Sequence, residues 1–262
     1  MRQRLDQLLV DRGLVETRTR AQALVLAGKV RVGEGDSARM DRKPGDLLDS
    51  GTPVSVAQPD PYVSRGGHKL AAALDAFGID ADGRITLDVG ASTGGFTDVL
   101  LQHRARRVYA VDVGRGQLAE RLRHDQRVVS MERINARSLD ATSLPEPVEL
   151  AVVDVSFISL GLVLGPIAAT FGYNRAHIVA LVKPQFEVGR GRTDGGVVRD
   201  PAAHREVLER IVEQARGHGL GARAVIASPL LGPEGNREFL IHLAAGPGCA
   251  DIGPRIAAVT GT

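Results

Sequence analysis

The apolar and polar positions of this chain predict a short helical opening followed by a long alternation of apolar runs and amphipathic stretches. Leu5, Leu8, Leu9 and Val10 place one apolar stripe on a helix over residues 4–14, which Gly13 ends. A second short helix runs from Thr17, a suitable N-cap, through Ala21, Leu24 and Val25 to Gly28. Lys29 to Val32 reads as a strand, Gly33 to Gly35 as a turn and Val54 to Val56 as a further strand. The opening is thus two small helices carrying a small sheet. Two prolines within Ala57-Gln58-Pro59-Asp60-Pro61 predict an extended connector.

Beyond the connector the period changes. Leu70, Ala71, Ala73, Leu74 and Phe77 predict an amphipathic helix with Lys69 in its first turn. Apolar runs over 84–89, 108–112, 128–131, 150–154 and 177–182 predict strands, with helices over 96–101, 117–123, 160–171 and 201–217 and closing strands over 222–226 and 238–243. Strand alternating with helix is the pattern of an α/β parallel sheet with helices on both faces. The near-continuous apolar run Leu150 to Val153 suits a strand buried on both sides. Residues 188–200, rich in glycine and charge, predict a mobile loop beside the site, and the last dozen residues carry no pattern.

Composition narrows the function classes. The chain has 262 residues, enough for one α/β domain and a small companion, and is 43% hydrophobic. Net charge is only +2, so affinity for nucleic acid must come from local clustering. Residues 1–43 supply such a cluster, with ten basic side chains against six acids. Aromatics are 3%, which argues against stacking platforms as the main mode of recognition. One cysteine, Cys249, excludes an intrachain disulfide framework, and no signal-like or membrane-spanning apolar segment is present, so a cytoplasmic location is expected.

The stretch Asp88-Val89-Gly90-Ala91-Ser92-Thr93-Gly94-Gly95-Phe96-Thr97 carries the chemistry. It is a strand, a tight glycine turn and a helix, and such a turn brings free backbone N–H groups close to a ligand. Its spacing matches neither the dinucleotide fingerprint nor the P-loop. An acid before the turn, Asp88, and a second ending the next strand, Asp112, resemble motif I and the ribose-binding acid of S-adenosylmethionine-dependent methyltransferases. A carboxylate at Asp112 could equally accept the ribose hydroxyls of a nicotinamide dinucleotide. Asp154 and Lys183 end further strands, so both should face the same sheet edge, and if their strands are neighbours they could pair. A plain structural salt bridge would look the same.

Two resemblances extend this reading. Arg4 to Leu9, Thr17 to Ala21 and Leu26 to Val32 resemble the S4 RNA-binding domain, which implies that Arg4, Arg18, Lys29 and Arg31 contact RNA phosphates, as guanidinium forks do well. Ser64-Arg65-Gly66-Gly67-His68-Lys69-Leu70, the glycine turn, Asp154 to Ser159, Leu181 to Glu187, and Ser228-Pro229 with Gly232 to Glu238 resemble the hemolysin A-type (TlyA) branch of the FtsJ-like ribose 2′-O-methyltransferases. The resemblance implies a Rossmann-like class I methyltransferase sheet over 64–262, an S4-like α+β domain over 1–57 and a connector over 58–63. It also implies S-adenosylmethionine as cofactor, bound by Asp88, Gly90, Ala91, Ser92, Thr93, Gly94, Gly95, Phe96, Asp112, Asn135 and Asp154. Asn135 stands where some relatives carry an acid beside the adenine, so that contact would be a neutral hydrogen bond.

The family's catalytic tetrad falls on Lys69, Asp154, Lys183 and Glu238. Arg65 and His68 join the RNA-binding set, the substrate is ribosomal RNA or a ribosomal subunit, with cytidine as the expected nucleotide, and no metal or protein partner is implied. The residue types suit the chemistry, because a ribose hydroxyl must be positioned and deprotonated before it attacks a methyl group that is already electrophilic. A free lysine with pKa ~10.4 is protonated at neutral pH, and a basic lysine must fall to ~7–8. Lys183 is read as the base and Lys69 as its partner. An inactive RNA-binding module and, with nothing in the sequence to support a pore, a membrane-active hemolysin are the rival classes.

Overall fold

The computed structural model describes residues 2–35, 38–57, 60–172, 176–189 and 191–262. Its chain separates into two units, Met1–Pro61 and Tyr62–Thr262. Gln58 and Pro59 of the expected connector, and Arg190 of the glycine-rich loop, lie outside the described residues.

In the first unit a strand that the sequence pattern does not reveal, β1 (Arg2–Arg4), comes before α1 (Leu5–Asp11), so the helix starts later than expected. Three alternating polar residues have no apolar period to betray them, and the strand exists through its antiparallel pairing with Leu47–Asp49. α2 (Arg18–Leu26) begins as expected at Thr17, whose hydroxyl accepts the Arg20 N–H at 3.2 Å. β2 (Val30–Val32), β3 (Leu47–Asp49) and β4 (Val54–Val56) complete two two-stranded sheets, β1 with β3 and β2 with β4. Leu5, Leu8, Leu9, Ala21, Val25, Val30, Val32 and Leu48 close their core.

The second unit is built on seven strands. In chain order its elements are α3 (Gly66–Phe77), β5 (Ile85–Val89), α4 (Gly95–Gln102), β6 (Arg107–Asp112), α5 (Glu120–Arg123), β7 (Val128–Glu132), β8 (Leu150–Val153), α6 (Gly161–Ala169), β9 (His177–Val182), α7 (Pro184–Glu187), α8 (Pro201–Gly217), β10 (Leu220–Ala227), β11 (Phe239–Ala245) and α9 (Ile252–Thr260). The strand order is β10-β11-β9-β8-β5-β6-β7, parallel from β9 to β7, with β11 antiparallel to both its neighbours. Alternate residues feed two cores. Leu150 and Val152 of β8 face the side covered by α3 and α4, while Ala151 and Val153 face α6 and α8. All four are fully buried, as their unbroken apolar run requires.

Three helices depart from the pattern. α5 is a single turn because the Ala119 N–H is tied to the Thr93 carbonyl at 3.1 Å rather than to a preceding helical turn. α7 follows Lys183 directly, started by Pro184 at its first position. α9 occupies the featureless C-terminal residues. Chain order reverses where β5 lies between β6 and β8, and the crevice at that reversal is where open α/β sheets bind ligands.

Candidate active site

The glycine turn sits at this crevice. Gly90 has φ +85°, and a Cβ there would collide with the Asp154 carbonyl, so only glycine lets the exits of β5 and β8 pass this closely. Gly94, with φ +96°, packs where a Cβ would strike Leu118 and Leu122. Asp112 holds the turn from the next strand: Oδ2 accepts the Ser92 N–H at 2.8 Å and Oδ1 the Gly114 N–H at 2.6 Å. Ser92 itself is held at φ +48°.

Two cavities open here. The first, of about 500 Å³, is walled by Gly90, Ser92, Asp112, Asn135 and Asp154 among others. The Asn135 amide oxygen accepts the Arg137 N–H at 3.0 Å, which leaves its amide nitrogen as a donor. The second cavity, of about 400 Å³, is walled by the turn residues Gly90, Ala91, Ser92, Thr93, Gly95 and Phe96, and by Lys69, Asp154, Lys183 and Glu238. Gly90, Ser92 and Asp154 belong to both walls.

Asp88 and Gly94, expected at the cofactor, line neither cavity. The Asp88 carboxyl lies beneath the turn, wholly buried, with Oδ2 accepting the Thr97 hydroxyl at 2.6 Å and Oδ1 without a partner among the described residues. Burial, reinforced by the nearby Asp154 and Asp112 carboxylates, pushes its pKa up to about 7.

The four tetrad side chains form two ion pairs. Lys183 Nζ lies 2.5 Å from Asp154 Oδ1 and donates to Ser156 Oγ at 2.8 Å. Lys69, on the first turn of α3, donates to Glu238 Oε2 at 2.5 Å. Glu238 is buried, and its Oε1 has no hydrogen-bond partner among the described residues. Gly232 makes room for it, since a Cβ there would run into this oxygen.

The six residues expected at RNA are dispersed. Arg4, Arg18, Lys29 and Arg31 are exposed on the first unit. Arg4 and Arg18 both brace against the buried Asp6, at 2.9 and 3.0 Å, and Arg31 donates to the Gly35 carbonyl at 2.7 Å. Arg65 lies on the wall of the second cavity, and the His68 ring meets Tyr62 edge-on at 5.1 Å. Two residues of the Asp154–Ser159 stretch were given no role by the sequence. Ser156 is short and polar and gives no pattern. Phe157 is 90% exposed at φ +64°, its ring 4.9 Å from Phe186, and its signal was an aromatic three residues after a strand-end acid in an aromatic-poor chain.

Comparison with known proteins places the chain in a family. Residues 62–245 match the FtsJ-like methyltransferase model and residues 3–34 the S4 domain model. A Mycobacterium tuberculosis protein named 16S/23S rRNA (cytidine-2′-O)-methyltransferase TlyA is 47% identical over 245 residues, covering 92% of this chain and 90% of that protein. Hemolysin A of Brachyspira hyodysenteriae is 39% identical over 241 residues, 91% of this chain and 98% of the relative. A solved structure of a hemolysin-named protein from Streptococcus thermophilus superimposes with a TM-score of 0.74 at 42% identity, covering 98% of this chain and 95% of its own. With its glycine turn, strand-end acids and paired lysines inside the matched region, the chain belongs to the FtsJ-like methyltransferase family and carries an S4 domain at its N-terminal end.

Proposed function

We propose that this chain methylates the ribose 2′ oxygen of a cytidine in ribosomal RNA, with S-adenosylmethionine as methyl donor. The observation that carries the reading is the convergence of Lys69, Asp154, Lys183 and Glu238 on the second cavity, which shares Gly90, Ser92 and Asp154 with the larger first cavity. The choice of cytidine in ribosomal RNA rests on the Mycobacterium tuberculosis relative's name.

The residues of the first cavity suit the cofactor chemically. Gly90 and Ser92 present backbone at the end of β5, Asp112 retains acceptor capacity for ribose hydroxyls beyond its two backbone bonds, and Asn135 offers a donor. When bound, S-adenosylmethionine supplies an electrophilic methyl group. Lys183 takes the proton of the 2′ hydroxyl, and Asp154, whose Oδ1 lies 2.5 Å from its Nζ, stabilises the ammonium. Ser156 fixes the direction of the amine. Lys69, held by the buried Glu238, supplies a donor that orients the sugar.

The test is nucleoside analysis of ribosomal subunits and free ribosomal RNA incubated with the protein and S-adenosylmethionine. The expected product is 2′-O-methylcytidine in a ribonuclease-resistant dinucleotide after alkaline hydrolysis. A methyl group on a base atom would overturn the reading. Cofactor binding with no transfer to any ribosomal RNA would favour an inactive RNA-binding protein.

In the same reading residues 1–57 form the RNA-capturing unit, residues 58–63 the connector and residues 64–262 the catalytic unit. Deletion of residues 1–57 is expected to weaken RNA binding and flatten its salt dependence, by about 0.7–0.9 in log–log slope for each phosphate no longer neutralised by a basic side chain. Cofactor affinity should stay unchanged. An unaltered salt slope, measured by filter binding from low to physiological salt, would exclude this unit as an RNA reader.

A further inference from the structure

The Lys183 segment and the Asp154 segment come from different strand ends, and one buried side chain joins them. Glu187, in the single turn of α7 after Lys183, is 3% exposed at its side chain. Its Oε1 accepts the Leu160 N–H at 2.7 Å and its Oε2 accepts the Ser159 hydroxyl at 2.8 Å. Ser159 and Leu160 end the loop that begins with Asp154 and carries Ser156. Arg210 of α8 fastens the other side, donating to the Glu187 carbonyl at 2.6 Å. Both carboxylate oxygens are therefore engaged by the loop that presents the two partners of Lys183. Fully desolvated, such a group is costly to bury unless its bonds are well made, which also makes it a stiff anchor.

We infer that Glu187 is a positioning residue, setting the distance between Lys183 and its partners Asp154 and Ser156 by clamping the Asp154–Leu160 loop to α7. The inference rests on the proposed role of Lys183 as the base. The clamp needs an acceptor for the Leu160 N–H, whereas the Ser159 hydroxyl can turn to accept. Glutamine satisfies both, with its carbonyl oxygen facing Leu160 and its amide donating to Ser159. Alanine satisfies neither and leaves a buried N–H unpaired.

The test is steady-state methyl transfer by full-length Glu187→Ala, Glu187→Gln and Ser159→Ala proteins, with Lys183→Arg as reference and thermal unfolding of each. Glu187→Ala should lower kcat about 10- to 100-fold, the effect of small misplacements at a reacting centre, with KM for RNA and cofactor affinity within about twofold. Glu187→Gln should recover most of that loss. Ser159→Ala should lower kcat a few-fold, and its effect should vanish in the Glu187→Ala background. If Glu187→Ala does not fold, the Gln and Ser159 variants decide. The inference is overturned if kcat in Glu187→Ala falls less than twofold, if Glu187→Gln is as impaired as Glu187→Ala, or, where the Ala variant cannot be purified, if Ser159→Ala leaves kcat unchanged. An active Lys183→Arg would instead overturn the reading of Lys183 as the base, and the clamp's catalytic role with it; an inactive Lys183→Arg beside an active Glu187→Ala would overturn the clamp alone.

Discussion

Replacing Lys183 by arginine is expected to abolish methyl transfer while leaving cofactor affinity nearly unchanged. Arginine keeps the positive charge and the donors that face Asp154 and Ser156, so the ion pair and the loop survive. It cannot lose its proton in a protein, and so cannot accept one from a hydroxyl. A general base contributes about 10²–10⁴ in rate, and Lys183→Ala should show at least that loss. The Lys69 pair calls for a different substitution. Because Glu238 is buried, Lys69→Ala strands its carboxylate, at a cost of about 3–5 kcal/mol in stability, and a loss of activity would then be ambiguous. The double change Lys69→Met with Glu238→Gln avoids the stranded charge. It should lower kcat without unfolding the protein, and its effect should be less than additive with Lys183→Ala because the groups act as a unit. Single-turnover rates with labelled cofactor measure both. Full turnover in Lys183→Arg would exclude it as the base.

Asp112→Ala is expected to weaken S-adenosylmethionine binding by about 10²-fold. The side chain has two tasks, since its oxygens hold the Ser92 and Gly114 N–H groups and also face the first cavity. Hydrogen bonds to a charged acceptor contribute about 1.5–3 kcal/mol each, so losing one or two ribose bonds accounts for the expected change. Asp112→Asn keeps part of both tasks: its single carbonyl oxygen can hold the Ser92 N–H but not also the Gly114 N–H, and it offers the ribose a weaker, neutral acceptor. Calorimetry should therefore place Asn between wild type and Ala. Undiminished affinity in Asp112→Ala, or binding of a nicotinamide dinucleotide in place of S-adenosylmethionine, would remove this residue and this cofactor from the account.

What the sequence revealed depended on whether a residue's role is written into periodicity. β8 and β9 were legible because burial on both faces demands unbroken apolar runs, and α8 because Pro201 marks its start. β1 and β3 were not, being three-residue strands that exist only through their mutual pairing. α7 was hidden because one turn is too short to show a helical period. Within the site, strand ends converge by topology, so Asp112, Asp154 and Lys183 could be placed from chain order alone. Contacts between side chains far apart in sequence could not be. That Lys69 meets Glu238, that Asp6 braces Arg18, and that Glu187 reaches back to the Ser159 hydroxyl are facts of packing. Asp88 is the instructive difference. Its place beside the glycine turn suggested contact with a ligand, whereas its side chain points into the protein and touches Thr97.

The burial of Asp88 is expected to couple uptake of the cationic methyl donor to release of a proton. Burial, with the repulsion of Asp154 and Asp112 beside it, lifts its pKa to about 7, so its proton is exchangeable in the neutral range. A sulfonium arriving among these acids favours the ionised form, and Asp88 then releases its proton to solvent. The sign follows: affinity for the methyl donor rises with pH until Asp88 is already ionised in the free protein, and falls by up to about tenfold per pH unit below 7. The heat of binding near neutrality should differ between buffers of low and high ionisation enthalpy, and Asp88→Asn should erase that difference. An acid buried under the floor of the site in this way is expected to loosen the hold on the methyl donor as the surroundings turn acidic.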